Sequence, residues 1–359
     1  MPRWIWIAIV AYALVMMSVS VIVVRDLPWR EALMARDFSN VWIAGQAILS
    51  GDAVLLYDRE AFTRLSETLL GFTWGNNYSY PPHSLFLAAP FGLLSHPPAF
   101  FIWNVAGVVL FALAARPYLP PALPWWAAVL NPATLVCIVY GHYGLLIGAL
   151  WLWSFRGSGI AAGLATLKPH LGLMIFIRTL ADRRQFLIAV VTTLFLVTLS
   201  AAAFGIDTWR AFVSDTSAYQ SGLFMTPSDG ARRSMVVPFV SYGLLGQMLF
   251  AVAAIVLLSR HFSVFTAATA TFLILPYGYH YDMTVACLGF AVLAASRWET
   301  LAWWEKVALL VAFFVPQFVR YGAFIAPPIL LLALWLQVRH RQGDPVFGTR
   351  SAASTPSTV

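Results

Sequence analysis

A carboxylate early in the chain stands at the start of a segment with helical periodicity. Asp37 lies in the stretch Arg-Asp-Phe-Ser-Asn-Val-Trp at residues 36–42. Its carboxylate could cap the N-terminus of that helix, which the spacing alone favours. It could instead act as a general base that takes a proton from an attacking hydroxyl group. Both interpretations place Asp37 at a helix start.

A lysine interrupts the otherwise uncharged, apolar segment 157–177. A Lys at the centre of a bilayer costs about 2.5–3.5 kcal/mol, so it typically faces a cavity or the bundle interior and needs an anionic partner. Pro169 follows Lys168 and removes a helical hydrogen bond beside it. These features favour a cavity that faces an anion. The alternative is a snorkelling Lys whose span has been misplaced.

Two further sets of polar residues are candidates, one at the outer junction of two predicted spans and one in a polar outer loop. His280 and Asp282 lie among tyrosines in the stretch Pro-Tyr-Gly-Tyr-His-Tyr-Asp at 276–282, which favours a polar site over a structural histidine. Arg232 and Arg233 follow a Pro-Ser-Asp-Gly stretch. They could contact lipid headgroups or hold a phosphate by paired hydrogen bonds. Arg320 is interpreted in the same way. The secondary candidates are Asp58, Tyr80, His83, His142, His170 and Arg320.

The composition restricts the class of protein. Of 359 residues, 60% are hydrophobic and 10% are charged, whereas soluble domains have roughly 45–50% apolar and about 25% charged residues. The chain is therefore predicted to be an integral membrane protein, and disorder is excluded by its hydrophobicity. Two cysteines do not make a disulfide scaffold. The net charge of +7 is attributed to basic cytoplasmic loops rather than to nucleic-acid binding.

The apolar segments predict an all-α polytopic fold of about 12 transmembrane helices, with a range of 10–12. The first is 5–24, which is too long for a signal peptide and has no cleavage site. The others are predicted at 80–95, 98–115, 123–140, 143–155, 158–180, 186–206, 236–258, 263–279, 281–296, 302–319 and 322–338.

Two polar loops, 25–79 and 207–235, separate these spans. The first loop predicts two amphipathic helices in the membrane interface, one that ends at Ser50-Gly51 and one from Glu60 to Leu70 with Asp58 as its N-cap. The single transmembrane domain covers 1–338. The tail 339–359 is polar and is expected to be cytoplasmic and disordered.

The basic residues of the short loops predict the orientation. Eight lie in loops assigned to the inside: Arg178, Arg183, Arg184, Arg260, Arg297, Lys306, Arg339 and Arg341. The short outside loops hold Arg116, Arg156 and Arg320. This asymmetry predicts that both termini are cytoplasmic and that the two polar loops lie outside. We therefore expect a plasma-membrane protein whose site faces outward.

Four motifs resemble those of glycosyltransferase family 87, the mannosyltransferases of the GT-C superfamily that depend on polyprenol-phosphate mannose. They are the stretch 37–51 with the Leu-Tyr-Asp that follows, Tyr80-Pro81-Pro82 with Pro90 and Leu93-Leu94, Lys168-Pro169-His170, and Tyr279-His280-Tyr281-Asp282. The chain differs from the family at Gly141-His142-Tyr143-Gly144, where Gly-Gln-x-Asn is frequent. It also differs at His170, where Gln is usual, and at His83, which replaces an apolar residue.

The resemblance implies a GT-C-type bundle with its active site at the outer face. It implies that Asp37 is the base and that a lipid phosphate is the leaving group, supported by Lys168, His280, Arg232 or Arg233. Asp282 belongs to the same donor site. The implied reaction moves a hexose from polyprenyl phosphate to a hydroxyl of a glycolipid or polysaccharide, with inversion to an α linkage. Mannose is the first candidate for this hexose. No cofactor or metal is expected.

A transporter or scramblase of lipid-linked sugars is the alternative function. It would share the spans, the buried Lys and the basic loops, but it would not need a carboxylate in the first outer loop. The arrangement of the polar groups distinguishes the two. An enzyme predicts that they converge on one outward cavity, whereas a transporter predicts a polar path through the whole bilayer.

Overall fold

The fold is built from helices. The computed structural model describes residues 10–15, 29–34, 36–72, 78–216, 222, 234–319, 321–344 and 346. Its helices, numbered α1 to α17, are Trp29–Met34, Phe38–Ser50, Arg59–Leu70, Leu85–Gly92, His96–Ala115, Trp125–Val129, Pro132–Tyr140, Gly144–Phe155, Gly159–Leu164, Leu173–Thr179, Arg183–Phe204, Ile206–Ala211, Pro238–Arg260, Val264–Ile274, Thr284–Arg297, Trp303–Phe318 and Ala326–Arg339. Within the described ranges there is no strand, only an isolated bridge between Met235 and Tyr279.

Three helices of the described chain are long and apolar enough to cross a membrane. They are α5, which continues to Tyr118, together with α11 and α13, of 23, 22 and 23 residues. Only 11% of the most apolar window of α11 and of α13 is buried in the protein, so these faces suit contact with lipid. Shorter apolar helices pack beside them, among them α8, α14 and α15. An all-α membrane protein is thereby confirmed.

The first polar loop folds into the two predicted helices. Helix α2 ends at Ser50, where Gly51 adopts φ 83° as its C-cap. Helix α3 begins after Asp58, whose carboxylate accepts a hydrogen bond from the Ala61 amide at 2.7 Å. However, nine of the 13 residues of α2 are buried. It is therefore a core helix and not the flat amphipathic helix expected from the sequence.

Helix α2 is buried because it lies backbone to backbone against α4. A Cβ atom on Gly45 would come within 2.5 Å of the Gly92 amide nitrogen. The Trp42 indole donates to the Leu94 carbonyl at 2.9 Å, and the Gln46 amide donates to the Gly92 carbonyl at 2.8 Å. The close approach thus fixes the start of α2, where Asp37 lies.

The segment 158–180 is a broken hairpin, not a continuous span. Helix α9 ends in a 3₁₀ turn at Ala165–Leu167, the chain turns at Lys168 and Pro169, and α10 starts at Leu173. The predicted span 80–95 likewise contains only a 3₁₀ turn at Pro82–Ser84 and the eight residues of α4, and α4 is about 12 Å long. The predicted span 123–140 is divided into α6 and α7.

The helices run between two ends of the bundle. One, called the site end here, contains Asp37, His142 and Asp282. The other, called the basic end, joins loops that are distant in sequence. There Trp151 donates to the Val264 carbonyl at 3.2 Å, and the Gln185 amide donates to the Ser154 carbonyl at 2.6 Å.

The loops of Arg116 and Arg156 lie at the basic end, together with those of Arg178 and Arg183. Tyr118 donates to the Leu152 carbonyl at 2.8 Å and lies within electrostatic range of Arg156 and Arg178. The assignment of Arg116 and Arg156 to the opposite side from Arg178 was therefore wrong. The reason is the hairpin at Lys168, which returns the chain to the end from which it came.

The start of the C-terminal tail is held at the basic end. The Gln342 side chain donates to the Gly289 carbonyl at 2.6 Å, and its own carbonyl accepts from Ser263. Glu305 caps α16 and contacts Arg339 at 3.1 Å and His340 at 3.2 Å. Ordered contacts thus extend beyond α17, to Val346.

Candidate active site

Asp37 faces a histidine from a distant part of the chain. Its Oδ2 lies 3.1 Å from Nε2 of His142, and 36% of its side chain remains exposed against 9% for His142. Asp37 occupies the N-cap position of α2, but its side chain makes no capping hydrogen bond. The carboxylate therefore contacts His142 instead of capping the helix, and its exposed part is accessible to a substrate.

Gly141 and Gly144 flank the His142–Tyr143 pair and allow the backbone on either side of it to pack closely. Gly141 ends α7 with φ 70°, a conformation that favours glycine, and a Cβ atom there would come within 2.5 Å of the Phe38 Cβ. A Cβ atom on Gly144 would collide with the Tyr281 carbonyl oxygen and with Cys137 Sγ. The stretch Gly-His-Tyr-Gly is thus wedged between the start of α2 and the turn before α15.

Tyr281 joins the two halves of the site. Its ring stacks on the His142 imidazole with centroids 3.6 Å apart and planes 13° apart. The ammonium nitrogen of Lys168 lies 4.8 Å from the centroid of the same ring, a distance suited to a cation–π contact. Asp37, His142, Tyr281 and Lys168 therefore form one continuous chain of contacts.

Lys168 and Asp282 form a buried ion pair. Nζ of Lys168 lies 2.5 Å from Oδ1 of Asp282, and their side chains are 7% and 0% exposed. Oδ2 of Asp282 accepts from the Tyr279 amide at 3.5 Å. Asp282 is thus the anionic partner that a Lys in an apolar segment requires. It connects the hairpin of α9 and α10 to the turn before α15.

Tyrosines make the wall next to both carboxylates. Tyr80 lies within electrostatic range of Asp37 and of Asp282, and its ring packs on Tyr143 at 4.0 Å. The Tyr57 hydroxyl donates to the Tyr80 carbonyl at 2.9 Å. The neighbouring Tyr78 donates to or accepts from Ser84 at 2.6 Å, and burial raises the pKa of Tyr78 to about 12.

His280 is hydrogen-bonded to Ser234, near the end of the second polar loop. Both its ring Nδ1 and its amide nitrogen lie within hydrogen-bond distance of the Ser234 carbonyl, at 2.8 and 2.9 Å. Its ring also contacts Tyr281, with centroids 5.6 Å apart. His280 is thus adjacent to the site through Tyr281, and it anchors Ser234 beside it.

His83 contacts the Lys168 hairpin, and His170 lies within its turn. Nε2 of His83 is 3.2 Å from the Thr166 hydroxyl, and its ring stacks on Trp209. The His170 ring meets the edge of Tyr277 at 5.0 Å. Among the described residues, the buried Nδ1 of His83 and Nε2 of His170 have no hydrogen-bond partner.

Four predicted candidates do not join this cluster. Asp58 acts as the cap of α3, which confirms the N-cap expectation and leaves its carboxylate engaged there. Arg232, Arg233 and Arg320 lie outside the described residues. In the part of the chain that is described, no group of three metal-ligating side chains is found.

The charge state of the Asp37–His142 pair follows from its surroundings. Burial, and then the positive charge of Lys168, lower the pKa of His142 well below its ordinary value of 6.5. A neutral imidazole can donate from Nε2 to Asp37, which fixes the tautomer of His142. A carboxylate held in this way, with one face exposed, is suited to accept a proton from a hydroxyl group.

Sequence reasoning did not single out Tyr281 or the two glycines as site residues. Tyr281 lies between two residues that were predicted, and the pair Gly141 and Gly144 encloses His142. Glycines that flank a polar residue between two apolar segments indicate close backbone approach. That signal was present at Gly-His-Tyr-Gly, but it does not reveal what the loop approaches.

Comparison with known families identifies the chain. The family model of glycosyltransferase family 87 matches residues 78–319, about two thirds of the chain. This match contains Tyr80, His142, Lys168 and the turn 279–282, while Asp37 precedes it. Neither a curated protein nor a solved structure gave a match. The chain thus belongs to glycosyltransferase family 87 and is a membrane glycosyltransferase.

Proposed function

We propose that this glycosyltransferase moves a hexose, with mannose as the first candidate, from a polyprenyl-phosphate donor to a hydroxyl of a glycolipid or polysaccharide. The observation that supports this most is the partly exposed Asp37 carboxylate, whose Oδ2 lies 3.1 Å from Nε2 of His142. A family of sugar-transferring enzymes needs a base for the acceptor, and Asp37 has the chemistry and the access for that role.

Asp37 takes the proton of the acceptor hydroxyl while the hydroxyl oxygen bonds to the anomeric carbon. The bond from that carbon to the phosphate oxygen breaks in the same step, and the polyprenyl phosphate leaves. One displacement inverts the anomeric centre, so a β-linked donor gives an α-linked product. His142 orients the carboxylate through its Nε2–H and does not touch the reacting atoms.

The leaving phosphate needs cationic support as its charge develops. Lys168 offers three donors, of which one is used by Asp282 at 2.5 Å. The remaining donors can reach a phosphate oxygen beside Tyr281. Arg232 and Arg233 remain candidates for the same role, because the chain that follows them returns to the site at Ser234. The reaction is proposed to need no metal or other cofactor.

We further propose ten membrane crossings with both termini cytoplasmic and the site at the outer face of the plasma membrane. Helix α4 and the hairpin of α9 and α10 are proposed not to cross, which reduces the predicted twelve by two. The first predicted span, 5–24, lies outside the described residues except at 10–15 and is counted from the sequence. The loops of Arg116, Arg156, Arg178, Arg260 and Arg339 then share one side. This distribution is more asymmetric than the sequence assignment, and basic loops favour the cytoplasm.

The donor is tested by direct transfer. Membranes that carry the wild-type chain are supplied with a labelled mannosyl phosphopolyprenol or with a labelled nucleotide sugar, and the product is isolated for analysis of its anomeric configuration. Label that enters an α-linked product from the lipid donor alone supports the proposal. Transfer from the nucleotide sugar, or a β-linked product, contradicts it.

The same vesicles test the transporter alternative. A scramblase moves the intact labelled donor between leaflets without forming a glycoside. Labelled donor that becomes accessible on both faces, with no glycoside at any acceptor concentration, would favour that function. Glycoside formation by purified protein in detergent, where there are no leaflets, would exclude it as the sole activity.

A further inference from the structure

A groove runs along the surface between α13 and α17, in the half of the bundle away from the site. Its volume is about 600 Å³, within the range of small-ligand sites. The lining is apolar except at one end, and its main residues are Phe250, Val256, Arg260, Leu331, Leu332 and Trp335. Val256 and Leu332 are 48% and 40% exposed, so the protein leaves this surface open.

The position of the groove along the membrane follows from α13. This helix of 23 residues starts beside the Met235–Tyr279 bridge at the site end, is kinked at Gly243, where φ is 64°, and finishes at Arg260. Its length and hydropathy suit a membrane crossing, and at 1.5 Å per residue the part after the kink, 244–260, is about 25 Å long. The groove occupies its last three turns and therefore faces the leaflet opposite to the active site.

Arg260 supplies a cation at the end of the groove. In the described part of the chain it forms no ion pair, and no acidic side chain competes for it. Arg339 is close to the groove, because its guanidinium lies 5.2 Å from the Trp335 ring, but it is already paired with Glu305. Aromatic and basic side chains at this level match the headgroup region of a bilayer.

We propose that this groove is a binding site for an anionic phospholipid of the leaflet opposite to the active site. An acyl chain lies along Phe250, Leu331 and Leu332, and the phosphate pairs with Arg260. Arg341, which is exposed just after α17 at the same end of the bundle, also favours an anionic headgroup over a zwitterionic one. The occupant is not the donor lipid, because its phosphate must reach Lys168 at the other end.

The test counts lipids retained by the purified full-length protein. Wild type is mixed in detergent with phosphatidylglycerol or with phosphatidylcholine of the same chains, and bound lipid is measured by native mass spectrometry. We expect one phosphatidylglycerol per chain in preference to phosphatidylcholine. Arg260→Gln should weaken phosphatidylglycerol binding about fivefold, the effect of one basic residue at a membrane surface. Arg297→Gln, a matched change at the same end but off the groove, should not.

A second variant tests the apolar part separately. Leu331→Trp fills the groove without a change of charge and should reduce binding of both lipids, while inorganic phosphate should not compete in wild type. Monodisperse elution and an unchanged melting temperature establish that each variant is folded. Equal binding of the two lipids, or equal binding by wild type and Arg260→Gln, would overturn the proposal. A dimer that excludes lipid from the groove would overturn it as well.

Discussion

At the scale of single residues, the proposed chemistry depends on Asp37 and His142. The spacing of Asp37 relative to the helix start indicated a cap, and the structure places it at the N-cap position without a capping bond. Its partner is 105 positions away in the sequence, and no periodicity could have connected the two. The sequence therefore singled out this carboxylate as a candidate base, but it did not indicate which side chain contacts it.

His142 can be tested as a positioning residue. His142→Leu removes the N–H donor to Asp37 and should lower kcat about 10–100-fold with little change in KM, since a hydrogen bond to a charged group contributes about 1.5–3 kcal/mol. His142→Gln keeps a donor and should retain an intermediate rate. In an Asp37→Asn background the Leu change should add little, because the two residues act together. Additive losses would instead indicate a merely structural histidine.

The pH dependence of stability gives an independent check on His142. Because burial and Lys168 lower its pKa below 6.5, the unfolded chain binds a proton at a higher pH than the folded chain. The melting temperature should therefore fall as the pH decreases below about 6.5. His142→Gln should reduce this dependence relative to wild type in the same detergent. Identical slopes for the two proteins would show that His142 is solvated and not buried.

At the scale of elements, close backbone packing and a broken hairpin set up the site. Lys168-Pro169 in an apolar segment correctly indicated a break in the helix, because both a buried charge and a missing amide are unfavourable inside a span. The sequence did not show that the segment turns back, since a broken span and a hairpin have the same apolar pattern. It likewise predicted the ends of α2 from Gly51 but not its burial, which depends on α4.

The contact between α2 and α4 gives a prediction for stability. Gly45→Ala would improve helix propensity, yet its Cβ would come within 2.5 Å of the Gly92 backbone. We expect a lower melting temperature and loss of transfer, because the start of α2 carries Asp37. Gly107→Ala is the matched control in α5, where the nearest neighbour is the Leu145 side chain at 3.2 Å. Equal effects of the two changes would contradict the packing argument.

At the scale of the whole molecule, the bundle separates a site end from a basic end. Composition was sufficient to predict an all-α membrane protein, because too few polar residues exist to cover a soluble surface. The number of crossings was not predictable in the same way. Short apolar segments such as 80–95 satisfy a hydropathy pattern without being helical over their full length.

Membrane sidedness can be measured with single cysteines. Both native cysteines are buried, so intact wild-type protein should not react with a membrane-impermeant maleimide. Glu60→Cys, on the exposed side of α3 at the site end, should react in intact cells. Glu299→Cys, between α15 and α16 at the basic end, should react only after permeabilisation. Labelling of both positions in intact cells, or the reverse pattern, would refute the proposed orientation.

The most direct test of the account is sugar transfer by Asp37→Asn. The variant keeps the size and capping ability of the side chain but cannot accept a proton, so transfer should fall by about 10²–10⁴-fold at equal abundance. Glu60→Gln, an exposed carboxylate of the same loop that pairs with Arg64, should transfer at the wild-type rate. If Asp37→Asn transfers sugar as fast as wild type, Asp37 is not the base and the central claim is wrong.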